Sequence, residues 1–462
     1  MEGTRKMHGN SAVSLVVEPG GTQVVAHVGL HALGRFADRL GLGDALSARV
    51  PWTGERAPLH DRGKLLVHSM LMLAGGGECC ADIEHLRAQD ALFGRVPSDT
   101  TVWRSFQRID AKVLSGLWEA MAETRASTWS RMGATTGTST VVLDVDASLV
   151  QIHSENKHGS ASNYKRGFGF HPIFCFADAT GEALAALLRA GNATSNDSGD
   201  NLAVLDAAID QLPLRLAVGH RVGDQASTVT RAVMVRSDSA GCTAGFINGC
   251  RDRNVGFAVV ARRNASIHAA ISAAAADDDC WRAALRQDGD IHPGSQVTEL
   301  TDLLDGNSWP DGTRFIVRRE PLHQGAQTSL FPSLEWRYWG HWTDQAGTPA
   351  DLDAHMRAHA HVEDHIRRLK DSGLERFPFA DLDANRAWMA LVCWSDTLVR
   401  WFQQLVLTGP LAAAEPKRLR WTLWHTPARI IRSGRRHIVR IIDAWPTASD
   451  ILNAYRRINL IT

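Results

Sequence analysis

Apolar residues recur every three or four positions through the first third of the chain. One such run spans 30–42, and a second spans 65–73 and stops at three consecutive glycines, 75–77. This spacing is typical of amphipathic helices, which glycine runs interrupt. Ser98 and Asp99 precede a further run and predict a capped helix start. The pattern predicts a helical domain over residues 23–135, behind a Gly-, Ser- and Thr-rich tail at 1–22 that we expect to be flexible.

The periodicity changes at Val141, where apolar and acidic residues alternate through Asp146. Such alternation is typical of a β-strand. The elements predicted from here are strands at 141–146, 170–176 and 183–188, a helix at 202–212, a strand at 232–236, a helix at 244–253 and a strand at 257–261. This order predicts an α/β sheet whose first strands form a meander.

A second β-rich segment follows, with its strongest runs at 314–318 and 334–339. Helices are predicted at about 351–370, ending at Ser372 and Gly373, and at 384–407. The chain therefore divides into predicted units. They are 1–22 (flexible tail), 23–135 (helical domain), 136–285 (α/β domain, first part), 286–348 (β-rich insertion), 349–408 (α/β domain, last helices) and 409–462 (basic C-terminal region).

The composition is that of a globular protein with several packed units. The 462 residues are 44% apolar and 22% charged, a balance that allows real cores to form. The sequence has no apolar run of roughly eighteen residues and no basic-then-apolar leader. We therefore expect a cytoplasmic protein with no membrane partner. Seven scattered cysteines predict neither a disulfide framework nor a zinc knuckle.

Charge is balanced over the whole chain but not locally. There are 50 basic and 50 acidic residues in total, whereas residues 415–440 hold eight cations and the single acid Glu415. The cations are Lys417, Arg418, Arg420, Arg429, Arg432, Arg435, Arg436 and Arg440. Trp421 and Trp424 are interleaved, so the segment is suited to neutralise phosphates while its indoles pack or stack. A solvated helix face anchored by two core tryptophans has the same pattern.

Four carboxylates are candidate ligands of divalent metal ions. Asp144 and Asp146 lie two apart in a predicted strand, hence on one face. On a covered face such a pair needs a cation, whereas on an edge or strand end open to water it does not. Asp238 ends a strand, where open α/β sheets place ligands, although such aspartates also cap helices. Glu363 lies in the predicted helix at 351–370. Two-metal phosphoryl chemistry needs several carboxylates together, and their hard oxygens select Mg²⁺ or Mn²⁺.

The helix around Glu363 also carries cationic groups. Helical spacing places His359, Glu363, Arg367 and Lys370 on one stripe, which suits a phosphate backbone. A surface helix laced with ion pairs has the same pattern. Histidines at 355, 359, 361 and 365 permit zinc as a further alternative, although the His-Glu-x-x-His motif is lacking.

Short motifs occur along the chain in the order found in one family of bacterial enzymes. They are LDVDAS at 143–148, GFHP at 169–172, TGE at 180–182, RAGN at 189–192, VRSDS at 235–239, VEDHI at 362–366, KDSGL at 370–374, RFP at 376–378 and ANRAW at 384–388. On these motifs the chain, from Gly29 to its C-terminus, resembles DDE transposases of bacterial insertion sequences. It is most similar to the insertion-sequence 1380 group of the insertion-sequence 4-like superfamily.

The resemblance implies an α/β protein with an RNase H-like catalytic domain and an inserted β-rich subdomain, flanked by helical N- and C-terminal regions. It makes Asp146, Asp238 and Glu363 the catalytic acids and the ligands of two Mg²⁺ (or Mn²⁺) ions, with Asp144 as a further candidate ligand. The acids are separated by 92 and 125 residues. Relatives fill the second gap with a β domain, which the predicted strands at 286–348 fit.

The resemblance also implies DNA contacts around the last acid. Some relatives carry a Tyr-Arg-Glu-Lys signature there, of which this chain keeps Glu363 and Lys370 but has Met356 and His359 in place of Tyr and Arg. The residues that we expect to contact DNA are Arg357, His359, Arg367, Lys370, Arg429, Arg432, Arg435 and Arg436.

The expected function is cleavage at the inverted-repeat ends of an insertion sequence and joining of the 3′-OH ends to target DNA. The implied partners are double-stranded DNA and a second copy of the chain, because two ends must be cut in concert, and the implied location is the bacterial nucleoid. The helical domain at 23–135 is a candidate DNA reader. The alternatives are a catalytically silent DNA-binding protein derived from a transposase and an RNase H-like nuclease with another role.

Overall fold

The structure, a computed structural model, describes residues 23–52, 58–133, 140–163, 165–304, 309–322 and 336–461. The predicted tail at 1–22 lies outside these residues, as do 334 and 335 of one predicted strand. Among the helices described, none is both long and apolar enough to cross a lipid bilayer.

The described part of the first 133 residues is almost entirely helical, as predicted. Its elements are β1 Val24–Val25, α1 Val28–Arg39, α2 Leu42–Arg49, α3 Arg62–Ala74, α4 Glu84–Arg87, α5 Asp90–Phe93, α6 Asp99–Phe106 and α7 Ala111–Met132. The predicted cap is present, since the Ser98 side chain accepts a hydrogen bond from the Thr101 N–H at the start of α6. Helix α3 ends directly before the glycine run at 75–77.

The predicted alternation of strands and helices follows. The elements are β2 Val141–Ala147, β3 Val150–Gln151, β4 Ala161–Ser162, β5 Phe168–Phe170, β6 Ile173–Ala177, β7 Ala183–Leu187, α8 Ser198–Asp210, α9 Leu214–Ala217, β8 Val233–Ser237, α10 Ala244–Arg251, β9 Val255–Val260 and α11 Ala265–Ala275. The single strand predicted at 170–176 is in fact two strands, separated at Pro172. Proline has no N–H to donate to a sheet, and β5 pairs with β3 and β4 in a small separate sheet.

The β-rich segment does not form a sheet of its own. Its strands are β10 Arg282–Leu285, β11 Ile291–Glu299, β12 Arg314–Pro321 and β13 Trp336–Thr343. They run antiparallel, and β13 pairs with β9 through His341 and Val260. The result is one nine-stranded sheet in the order β10-β11-β12-β13-β9-β8-β2-β6-β7. Strands β8 and β9 are parallel to β2, whereas β6 and β7 continue from β2 as an antiparallel meander.

The last third of the chain contains both helices and strands. Its elements are α12 Pro349–Arg357, α13 His361–Leu369, α14 Leu382–Leu405, α15 Pro416–Leu419, β14 Ala428–Ser433, β15 Arg436–Ile441 and α16 Ala448–Leu460. The helix predicted at 351–370 is interrupted by a 3₁₀ turn, Ala358–Ala360. Where we expected a helical C-terminal region, β14 and β15 form a hairpin. In the first half of β14 the buried Ala428 and Ile430 flank the exposed Arg429, which is the two-residue periodicity of a strand and not of a helix.

Helices cover the sheet on both faces, over two large apolar cores. On one face lie the N-terminal helices together with α13, α14 and α16, and on the other lie α8, α10 and α11. Helix α14 connects the N-terminal helices with the main sheet, because it packs against α3 and α7 on one side and against β7 on the other. Its Trp388, Trp394 and Trp401 are buried. Strand β1 also pairs with β14, so the N- and C-terminal regions share one small sheet.

Candidate active site

Asp146 and Asp238 lie at the carboxyl ends of neighbouring parallel strands. In the register of β2 with β8, Val145 is the partner of Ser237, and one step further along each strand is an aspartate. The carboxyl edge of parallel strands is where α/β sheets bind ligands. The capping role that such an aspartate often has is present too, since one Asp238 oxygen accepts from the Ala240 N–H at 2.8 Å. Its other oxygen has no hydrogen bond within the described ranges.

Glu363 approaches the two aspartates from α13, which packs against β2. The charges of both other acids act on Asp146. Burial and then the nearby charge of Asp238 raise the pKa of Asp146 to about 6, and Glu363 adds to the same effect. Like charges in a confined site disfavour ionisation in this way. Glu363 itself remains exposed on the helix.

Asp144 is on the same face of β2 but has different surroundings. It is fully buried and accepts two hydrogen bonds from Arg236, from Nε at 2.8 Å and from Nη2 at 2.7 Å. The His359 Nδ1 lies 2.8 Å from Asp144 Oδ1. Burial alone would raise the pKa of Asp144, but the His359 and Arg236 hydrogen bonds and charges outweigh it and lower the pKa. The cation that this acid needs is therefore a guanidinium of the protein.

Arg236 is the residue whose role the sequence analysis missed. It sits in the buried strand β8, directly beside Asp144 in the register, and it also contacts Asp178 at 2.8 Å and the His355 carbonyl at 2.7 Å. The signal was available, because an arginine inside a run of buried apolar residues requires an anionic partner. The partner was not predictable without the pairing of the strands.

The residues proposed for DNA contact fall into two groups. His359 is buried against Asp144, and Arg357 is bound to Asp353 and to the Leu285 carbonyl. His359 is therefore largely closed to a phosphate, whereas 24% of the Arg357 side chain stays exposed. The 3₁₀ turn at Ala358–Ala360 explains why His359 is buried, since it turns this residue out of the stripe that continuous α-helical spacing predicts.

The second group faces solvent. Arg367 is half-exposed and pairs with Asp364 at 3.1 Å and with Glu415 at 3.4 Å, and Lys370 is partly exposed. The four hairpin arginines expected to contact DNA are exposed, and none of them has a carboxylate partner among the described residues. They are Arg429, Arg432, Arg435 and Arg436.

Two of the sequence motifs position the sheet beneath the site. Glu182 of the TGE motif is fully buried and bound to Arg125 of α7 at 2.8 Å, which ties the helical region to the start of β7. Gly181 has φ +68, and a Cβ there would lie 2.1 Å from the Arg400 guanidinium. Arg189 of the RAGN motif donates to the carbonyls of His171 and Thr194. These motifs therefore hold the meander in place and do not reach the acids.

The donor set is all oxygen, which fits Mg²⁺ or Mn²⁺ better than zinc. The repulsion that raises the pKa of Asp146 is what a divalent cation would relieve. In the part of the chain that the structure describes, no three His, Cys, Asp or Glu side chains already converge as ligands of one ion. This holds for the histidines at 355, 359, 361 and 365 as well.

The fold and the site define a mixed α/β protein with acids collected at the carboxyl edge of its sheet. Residues 7–462 match the family described as Transposase DDE domain group 1, and the chain belongs to this family. It is thereby a transposition enzyme in general terms. No curated protein matches the sequence.

One solved structure with an overall likeness is that of a piggyBac transposase, in a synaptic complex with hairpin DNA studied by cryo-EM. The identity is 8%, the TM-score is 0.38, and the likeness covers 86% of this chain and 79% of that chain. At this TM-score it says nothing further about the present protein.

Proposed function

We propose that this chain is the transposase of an insertion sequence of the 1380 group, which cleaves at the inverted-repeat ends of its element and joins the 3′-OH ends to target DNA. The observation that carries the proposal is the placement of Asp146 and Asp238 at the ends of adjoining parallel strands, with Glu363 on a helix that packs against β2. These are the three acids that the family resemblance singles out, and two neighbouring parallel strands and a helix packed on them hold these residues.

The sheet supports an RNase H-like catalytic domain within this proposal. The order β9-β8-β2-β6-β7, with a meander from β2 to β7 and two further strands parallel to β2, has helices on both faces. The first two acids lie at the carboxyl ends of the two central strands. In this proposal β10 to β13 are the inserted β-rich subdomain, built onto the free edge of β9.

Asp146, Asp238 and Glu363 would hold two Mg²⁺ (or Mn²⁺) ions, and DDE transposases as a family generally use divalent metals. Such ions, when bound, activate the attacking oxygen and stabilise the leaving oxygen of a phosphodiester. Because Glu363 is exposed, we expect its side chain to reorient on binding. Asp144 has no part in this, since Arg236 and His359 occupy its oxygens.

The cations that would bind double-stranded DNA are Arg367, Lys370 and the hairpin arginines, which suit both the terminal repeats and the target. Arg357 and His359 serve instead to position α12 and the 3₁₀ turn against the sheet. A homodimer on DNA follows from the need to cut two ends together. The proposed location is the cytoplasm, at the nucleoid.

The second candidate is a transposase-derived DNA-binding protein without cleavage activity. The exposed Glu363, and the absence of a preformed ligand cluster among the described residues, favour it. The deciding experiment is Mg²⁺-dependent cleavage of a labelled duplex that carries the flanking ends of the gene, with wild type, Glu363→Gln and Asp364→Asn. Asp364 is the matched control, because it is the next residue, is exposed and, among the described residues, has Arg367 as its one ion-pair partner.

We expect cleavage at the element boundary by the wild type and by Asp364→Asn, and a loss of at least about 1,000-fold in Glu363→Gln, or about 4 kcal/mol in the barrier. Binding without cleavage in all three proteins would select the DNA-binding candidate. Equal cleavage by wild type and Glu363→Gln would remove Glu363 from the catalytic set.

A further inference from the structure

An apolar cleft of about 370 Å³ lies at the base of the β14–β15 hairpin. Its walls come from the segment just before β14 and the segment just after β15. The residues that line it are Arg420, Trp421, Thr422, His425, Trp445, Pro446 and Thr447. The Thr447 hydroxyl donates to the Thr422 carbonyl at 2.6 Å and holds the two walls together.

Trp421 of the cleft is the most exposed tryptophan among the described residues, ahead of Trp103 at 47% and Trp52 at 42%, whereas Trp445 is only partly exposed. Trp421 is 84% exposed, whereas Trp388, Trp394, Trp401 and Trp424 are each at most 1% exposed. Within the described residues neither Trp421 nor Trp445 packs against another ring, and the Trp445 indole N–H is buried without an acceptor. An indole left in water has a large apolar surface free for a ligand.

The hairpin next to the cleft presents positive charge. Arg429, Arg436 and Arg440 are exposed and lie on one face, because Arg429 pairs with Arg440 and Ser433 pairs with Arg436. The opposite face, with Ala428 and Ile430, is buried in the core. From Arg429 to Ser433 the strand rises about 13 Å, which is the axial rise of about four stacked nucleotides.

The cleft is also joined to the helix of Glu363. Arg420 donates to the Asp371 carbonyl at 2.7 Å, and Lys417 pairs with the Asp371 side chain at 2.9 Å. Asp371 follows Glu363 by eight residues, or about 12 Å along the helix. The cleft is therefore held at the far end of the helix that carries the third acid.

We propose that the Trp421–Trp445 cleft binds an unpaired nucleobase of DNA, while the arginines of the hairpin bind the phosphates of the same strand. An aromatic platform beside a cationic ribbon is the combination that single strands require, since bases stack on indoles and arginines neutralise the backbone. The inference rests on the proposed DNA function, and it adds that part of the bound DNA is unpaired a few nucleotides from the site of the acids.

The test measures the binding of fluorescein-labelled (dT)₁₂ and of a 12-base-pair duplex by anisotropy, with the full chain and the variants Trp421→Ala, Trp421→Phe and Leu214→Ala. Leu214 is the matched control, because it is 81% exposed and lies on α9, far along the chain. One stacked base contributes about 1–3 kcal/mol. We expect Trp421→Ala to weaken (dT)₁₂ binding about 5- to 150-fold, and Trp421→Phe and Leu214→Ala to weaken it less than about 3-fold.

Salt dependence separates stacking from charge. Trp421→Ala should leave the slope of log affinity against log salt unchanged, whereas Arg436→Gln should reduce it by about 0.7 for a single strand. Thermal unfolding should not change in Trp421→Ala, since the side chain is outside the core. Equal (dT)₁₂ affinity of wild type and Trp421→Ala would overturn the inference. So would a Trp421→Ala protein that no longer self-associates but binds DNA as the wild type does, because the cleft would then be a contact between two copies of the chain.

Cleavage of the element ends, measured in parallel, keeps the two proposals distinct. If the wild type cleaves but Trp421→Ala binds (dT)₁₂ normally, the stacking inference fails and the proposed function stands. If the wild type neither binds nor cleaves DNA, both fail.

Discussion

Two aspartates of one strand, Asp144 and Asp146, show how surroundings decide what a carboxylate does. They lie two residues apart on the same face of β2, yet their pKa values shift in opposite directions. Asp144 faces Arg236 across the strand pair, whereas Asp146 faces Asp238 one step further along. The first acid is neutralised within the protein, and the second is left with an unmet need for positive charge.

Burial by itself therefore does not identify a carboxylate as a metal ligand. Asp144 is the more buried of the two, and its place on the same strand face made it a further candidate ligand beside Asp146. A buried ion pair with all its hydrogen bonds made is a structural element. A cluster of acids whose charge is not balanced is the arrangement that binds a cation. Three experiments test this contrast between Asp144 and Asp146.

The largest expected effect is that of Asp144→Ala on stability. Removing the acid leaves the buried Arg236 guanidinium without its principal partner, which costs about 3–5 kcal/mol. Urea unfolding of the metal-free protein measures it, with Asp364→Asn as an exposed control that should match the wild type. A stability of Asp144→Ala equal to that of the wild type would mean that the pair contributes nothing and would remove the contrast between the two aspartates.

A smaller effect is expected when both members of the pair become apolar. The double variant Asp144→Leu with Arg236→Met removes both charges of the pair, and Asp178, the other partner of Arg236, is partly exposed to solvent. Its free energy of unfolding should therefore lie within about 2 kcal/mol of that of the wild type and well above that of either single variant. The same urea measurement on the four proteins gives the coupling energy of the pair. Strictly additive losses would show that Asp144 and Arg236 act independently.

The smallest effect concerns Asp146 and has the opposite sign. Its pKa is about 6 in the folded protein against an ordinary value of 3.8, so folding disfavours the charged form. Above pH 6 the charged acid therefore destabilises the protein, and this loss is recovered as the pH falls from 6 towards 4. In EDTA at pH 8, Asp146→Asn should be more stable than the wild type by about 1–3 kcal/mol.

Thermal unfolding of Asp146→Asn and the wild type at pH 8 and pH 5 tests the direction of this effect. The difference in stability between the two proteins should be smaller at pH 5 than at pH 8. A variant that is less stable than the wild type at pH 8 would show that Asp146 has a stabilising partner and that the two aspartates do not differ in kind.

Much of the local structure was predictable because it depends on short-range pattern. Alternation at 141–146 predicted β2, and Ser98 predicted the start of α6. The strand patterns also predicted that Asp146 and Asp238 lie at strand ends. What failed depended on longer range or on small irregularities, such as the 3₁₀ turn that removes His359 from its stripe and the proline that divides the strand at 170–176.

Local sequence patterns were enough to predict where strands and helices alternate, which acids lie at strand ends and which family the motifs indicate. All three are properties of residues that are neighbours in the sequence. Only the tertiary structure decided that Arg236 lies beside Asp144, that β13 extends the main sheet at β9, and that Trp421 remains in solvent while Trp424 is buried. Strand register and core packing are set by contacts between residues far apart in the chain. The same aspartate, arginine or tryptophan therefore has a different role according to what the fold places next to it.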